Sequence, residues 1–161
     1  MAPKSTVPGL GYTNSSIRNS LELARPVDKW DARTQTNVAR SLGYVEQSRT
    51  LLESKQARLV VTLMPFAWNV SRDEMKIGRR LYRFGGCDIP IDPLEMKIRD
   101  YCRDREVDYV DLINAFKKYP SRDDARLFFP NDGHWSDTGQ AVVADAIFAS
   151  LNAPGSKSAL H

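Results

Sequence analysis

Histidine is almost absent from this chain: 161 residues hold two, His134 and the terminal His161. Cysteine is as scarce, with Cys87 and Cys102 alone. Two cysteines so loosely spaced make neither a disulfide framework nor a zinc site, so they read as packed or surface thiols, and no redox compartment follows. Nowhere do 18 apolar residues run together, which excludes a membrane-spanning segment from the expectation. The opening "MAPKSTVPGLGYTNSS" has a lysine but no apolar core of a signal peptide, so the sequence as written reads as soluble, without an export signal. An excess of one charge is lacking too. The net charge of +3 is mild, and basic residues alternate with acids in "SRDEMKIGRR" and "KIRDYCRDREVD". That pattern reads as solvated helix faces rather than a nucleic-acid footprint, and no nucleic-acid partner is expected.

What is present suits a globular domain. The apolar fraction of 42% and charged fraction of 27% are ordinary, and a chain of this length buries about 70% of its unfolded surface. Residues 1–34, rich in Pro, Gly, Ser, Thr and Asn, are expected to form an irregular arm; 35–152 form the domain, and 153–161 a flexible tail. Val38, Leu42, Val45 and Leu52 recur at helical spacing. "RLVVTLMP", closed by Pro65, fits a strand buried on both faces. Ser71 and Glu74 form an S-x-x-E capping box that predicts a helix toward Tyr82. "FGGCDIPID" is loop. Asp92, Pro93 and Glu95 start another helix with Leu94, Ile98 and Cys102 on one face. "EVDYVDL" is a second strand, then an irregular stretch leads to a last helix from about Ser136 to Leu151, with Val143, Ile147 and Leu151 as its core stripe. Helices alternating with buried strands give an α/β class, a parallel sheet flanked by helices. Two strands alone leave both sheet edges bare. Either strands are missing or the arm or a partner supplies them, and a homo-oligomer through the open edge is one such arrangement.

In an open parallel sheet, ligands meet the loops at the carboxyl ends of strands. "PNDGHW" lies in the loop after "VDYVDL", which puts His134 there. An imidazole takes and returns a proton near neutral pH when a neighbour holds one tautomer, and Asp132, two residues away across Gly133, is the obvious neighbour. Ser136 and Asp137 read as the cap and first turn of the last helix. By spacing alone, Asp-x-His could equally be a surface turn. Trp135 either lines a pocket for a sugar or acyl group or wedges the last helix against the sheet. Asn69 reads as a turn residue, and Asp123 and Asp124 as a solvated turn. Asp132 and His134 are too few ligands for a metal, so neither metal nor cofactor is expected.

The string "FFPNDGHWSDTGQAVVADAIFASL", with the preceding "LVVTLMP" and "CRDREVDYVDL", resembles the carboxyl-terminal half of SGNH (GDSL-type) hydrolases over residues 36–151. The match runs through Asp132, Gly133, His134, Trp135, Ser136, Gly139 and Ala144, and the two-residue Asp–His spacing resembles the branch of polysaccharide O-acetyltransferases of the alginate type. The resemblance implies a flavodoxin-like three-layer α/β/α fold, His134 as the base that activates a serine, Asp132 as the carboxylate that orients it, and an ester of a small molecule or carbohydrate as substrate. The family's Gly-Asp-Ser segment and Gly-x-Asn-Asp block are not found. Ser15 and Ser16 lack a preceding strand and are poor nucleophile candidates. The resemblance therefore implies a truncated form without its nucleophile; the alternative is a non-catalytic α/β module that binds carbohydrate or protein.

Overall fold

The computed structural model describes residues 14–81, 89–120, 124–131 and 133–152. Its two strands, β1 (Val60–Thr62) and β2 (Asp108–Val110), pair in parallel, Val60 with Asp108 through Thr62 with Val110. The Thr62 hydroxyl closes the pairing by donating to the Val110 carbonyl at 2.8 Å. The helices are α1 (Asn14–Leu23), α2 (Ala32–Glu53), α3 (Ala67–Val70), α4 (Lys76–Leu81), α5 (Asp92–Asp104), α6 (Leu112–Lys118) and α7 (Asp137–Leu151), with a single 3-10 turn at Val27–Lys29. Fold class is as expected: mixed α/β around a parallel pair of strands.

Side chains along a strand alternate between faces, so the contacts of β2 sort the helices into layers. Tyr109 faces α5, whose Arg99 guanidinium lies 5.7 Å from its ring centre. Asp108, its neighbour on the other face, binds Arg58 at 2.6 Å, and Arg58 reaches the last carbonyl of α7, Leu151, at 3.5 Å. Helices α5 and α7 thus cover opposite faces of the pair. One apolar cluster joins Trp30, Val38 of α2 and Leu94 of α5; a second joins Trp68, Met75, Ile89, Phe116, Leu127 and Phe128, with Trp135 and Val143 packed against it.

Both helix-to-strand connections end alike. After α2 the Gln56 and Ala57 amides donate to Glu53 and Leu52; after α5 the Glu106 and Val107 amides donate to Arg103 and Cys102. Each is a Schellman stop, and each puts a non-glycine in the left-handed region, Gln56 at φ 54° and Glu106 at φ 53°.

Several expectations are corrected. The arm is not irregular throughout: α1 falls within it, and Ser15 and Ser16 sit on that helix rather than at a strand end. Long-range packing explains the helix where periodicity did not, since buried Ser20 accepts a hydrogen bond from the Trp68 indole at 3.0 Å. The first strand is not buried on both faces; Val60 and Val61 are half-buried and Thr62 exposed. The stretch after β2 is helical, because Asp111 caps the Asn114 amide at 2.8 Å and Leu112, Ile113 and Phe116 are buried. Leu151 is exposed rather than core. Within "SRDEMKIGRR", Arg79 is buried, not solvated, donating to the Glu74 and Ser71 carbonyls at 3.0 and 2.8 Å. Cys102 is a buried free thiol, its pKa pushed up by that burial. Cys87, Tyr82, Asp123, residues 1–13 and the tail 153–161 lie outside the described residues.

A glycine removes the left-handed penalty at the two helix stops while adding unfolded-state freedom. Gln56→Gly and Glu106→Gly should each raise unfolding free energy by about 0.5–1 kcal/mol in urea titrations; a loss of stability in both would contradict the Schellman assignment.

Candidate active site

Between α6 and α7, residues 126–131 and 133–136 have almost no regular structure, yet Leu127 and Phe128 are buried almost completely. Buried backbone groups need partners. The Leu127 carbonyl accepts from the Ser136 amide at 3.0 Å, and the Phe129 amide donates to the His134 carbonyl at 3.0 Å, so Phe128 and Trp135 form an antiparallel bridge. The turn carrying His134 is closed at its base by these bonds.

Ser136 is the N-cap of α7: its hydroxyl accepts from the Gly139 amide at 3.2 Å and donates to the Arg126 carbonyl. Asp137 comes next, in the first turn, where a carboxylate complements the helix dipole. Gly139 has a steric reason to be glycine. A Cβ there would stand 2.2 Å from the Leu127 carbonyl oxygen.

Trp135 ties the turn to the sheet. Its indole donates to the Pro65 carbonyl at 3.4 Å, and its ring packs against Phe116 with centres 5.7 Å apart. Pro65 stands just past the end of β1, so the His134 turn lies at the carboxyl end of the strands. The packing of Trp135 is that of a wedge, although the side chain remains partly exposed. His134 itself is exposed, and Gly133 beside it is buried. Asp132 lies outside the described residues.

The same end of the sheet holds a second polar group. Asp111, just after β2, binds Arg99 at 2.6 Å, and Arg99 also binds Glu95. Burial pushes the Glu95 carboxyl above its ordinary value, the Asp111 charge adds to the effect, and Arg99 opposes it. Tyr109 is likewise raised by burial and by the charges of Glu95 and Asp111. Asn69 lies within the short helix α3 rather than in a turn: its side chain accepts from the Phe66 amide at 2.9 Å and donates to the Ile89 carbonyl at 2.7 Å. Asp124 is exposed. Among the described residues no group of three or more His, Cys, Asp or Glu is arranged to hold a metal, and no helix is long and apolar enough to cross a membrane.

The S-x-x-E reading of Ser71 and Glu74 is overturned. Ser71 ends α3, its hydroxyl accepts from Asp73 at 3.1 Å, and the next helix starts only at Lys76. Glu74 instead points inward, fully buried, accepting from the Leu127 and Phe128 amides at 3.5 and 3.2 Å. Its requirement for a partner more than 50 residues away left no local signal. The expected role of Glu74 was a helix cap; its role in the structure is that of a buried acceptor.

Fold and site together describe a parallel α/β domain with a single-histidine turn at the carboxyl end of its strands. The family described as SGNH hydrolase-like domain, acetyltransferase AlgX, matches residues 25–159, and the chain belongs to it. No curated protein and no solved structure gives a match.

Overpacking of one methyl in a rigid site costs about 1–3 kcal/mol, which outweighs the helix preference of alanine over glycine, about 1 kcal/mol. Gly139→Ala should therefore destabilise the protein by about 1–2 kcal/mol in urea titrations. Gly43→Ala, where nothing lies within 4 Å, should be neutral or stabilising. Equal effects at both positions would remove the steric account of Gly139.

Proposed function

We propose that this chain carries the base of a serine-dependent carboxylic ester chemistry, as an ester hydrolase or O-acyltransferase acting on an acylated small molecule or carbohydrate. His134 is the base, and Asp132 fixes its tautomer. The observation that supports this most is the bond from Trp135 to Pro65, which anchors the His134 turn at the carboxyl end of β1. There the ring nitrogen turned away from Asp132 would accept the proton of a serine hydroxyl as its oxygen attacks the acyl carbonyl. The imidazolium then returns the proton to the leaving alkoxide, and water or a sugar hydroxyl takes the acyl group in the second half-reaction. The partly exposed Trp135 ring offers a surface to sugar or acyl chain.

On this reading the serine stands outside the described residues, and the chain is a truncated form. Half-buried Val60 and Val61, exposed Phe148 and exposed Leu151 support it, because these apolar side chains fit a sheet and helix that continue against further strands. Triad members act as a unit, so the isolated chain should cleave p-nitrophenyl acetate little above background. In the longest natural reading frame enclosing it, His134→Ala should lower the rate about a thousandfold or more. Equal rates with and without the imidazole would defeat the assignment.

One observation favours a second, non-catalytic reading as a carbohydrate- or protein-binding module: among the described residues each strand has a single neighbour. Bare edges recruit further strands. Light scattering of the chain should then give a mass above the 18.2 kDa monomer, and a well-folded monomer would count against it.

A further inference from the structure

The segment that opens α4 is joined to the loop that leads into the His134 turn by hydrogen bonds at residues 73, 74, 77 and 78. The Arg126 guanidinium donates to the Asp73 carbonyl at 2.9 Å. The Glu74 carboxylate accepts from the Leu127 and Phe128 amides at 3.5 and 3.2 Å. The Ile77 and Gly78 amides both donate to the Pro130 carbonyl, at 2.9 and 3.0 Å. A Cβ at Gly78 would stand 2.8 Å from the Asn131 carbonyl oxygen and 2.7 Å from the end of Met75.

Backbone strain marks the same place. Met75 is buried and left-handed, at φ 55°. A non-glycine holds that conformation only where its surroundings impose it. Here the reversed residue separates the inward carboxylate of Glu74 from the two amides of Ile77 and Gly78, and both groups reach one loop. Arg79, also buried, donates to the Glu74 and Ser71 carbonyls and ties the strained turn from behind.

We propose that residues 73–79 are the positioning element of the site, with Glu74 fixing the loop at Leu127 and Phe128 and Gly78 setting the height of the Asn131 peptide that immediately precedes Asp132 and His134. The proposal rests on the reading of His134 as the base. Glu74 and Gly78 touch no reacting atom. They act through the backbone: Glu74 holds Phe128, Phe128 bridges to Trp135, and the Phe129 amide holds the His134 carbonyl.

Two variants separate positioning from stability. Glu74→Gln keeps one acceptor oxygen and turns an amide NH2 toward the second backbone N–H. Gly78→Ala pushes on the Asn131 carbonyl. In each, nuclear magnetic resonance should show the His134 ring signals and their titration midpoint displaced from wild type, and hydrogen exchange at Phe128 and Phe129 faster by about tenfold. Amides of the Trp30–Val38–Leu94 cluster should keep their protection, and Gly43→Ala should leave His134 unchanged. Signals from the two histidines are told apart with His134→Ala. A folded Gly78→Ala with wild-type His134 titration and wild-type Phe129 exchange would overturn the proposal.

Should either variant fail to fold, the unaltered protein still decides. Its Ile77, Gly78, Leu127, Phe128 and Phe129 amides should open as one unit with a common denaturant dependence, and independent opening of 77–78 and 127–129 would overturn the proposal. Loss of the esterase reading leaves these measurements standing, because none of them needs turnover. In the reading frame that shows His134-dependent cleavage, Gly78→Ala should lower kcat more than it raises KM.

Discussion

Irregular backbone can be buried only if something other than a ladder or a helix satisfies it, and this requirement governs residues 126–131. Leu127 and Phe128 fill the space beside Trp68 and Phe116, so their amides are removed from water. A buried donor left unpaired costs about 1–3 kcal/mol; a buried carboxylate left unpaired costs more. Glu74 answers both problems, because its oxygens are the acceptors those two amides need. The Leu127 carbonyl is answered from the other side by Ser136, and the closeness of that approach leaves room only for glycine at 139. The fold of the last third of the chain depends on these pairings, since they fix where α7 begins.

Where α7 begins decides where it ends. It starts beside Leu127 and Trp135 at the carboxyl end of the strands and finishes against Arg58 at their amino end, antiparallel to β1 and β2. The α5 helix returns on the opposite face, and the two Schellman stops deliver the chain into β1 and β2 in the same way. Parallel pairing then gathers the segments that leave the strands, with Pro65 on one and Asp111 on the other, at a common end. The single histidine of the domain stands there because Trp135 binds Pro65.

The parts of this arrangement legible in the sequence are those whose cause is local. Val38 and Leu42 in α2, and Leu94, Ile98 and Cys102 in α5, repeat at the helical period, and Pro93 and Ser136 announce helix starts that the structure keeps. Asp111, with Leu112, Ile113 and Phe116 behind it, carried the same kind of signal for α6 and went unread. Other features have no local cause. The α1 helix is held by Ser20 against Trp68, and the Ser71–Glu74 spacing imitates a capping box while its carboxylate serves a loop more than 50 residues later. For the proposed site, the sequence offers the residue types and spacing of Asp132 and His134. It does not offer the anchor of the turn, because Pro65 lies 70 residues before Trp135.

Exposure of His134 and exposure along α7 point the same way. Base catalysis by imidazole gains from a site that excludes water and holds the ring, yet here the backbone of the turn is fixed while the side chain stands at the rim. The helix that starts beside it is apolar along "AVVADAIFASL", but Phe148 is 70% exposed and Leu151 39%. Because α7 runs the length of the strands, one further layer laid along its open side would cover Phe148 at the amino end and reach the His134 turn at the carboxyl end. On the proposed reading that layer also brings the serine, so the cover for the hydrophobic helix and the partner for the imidazole are the same piece of sheet.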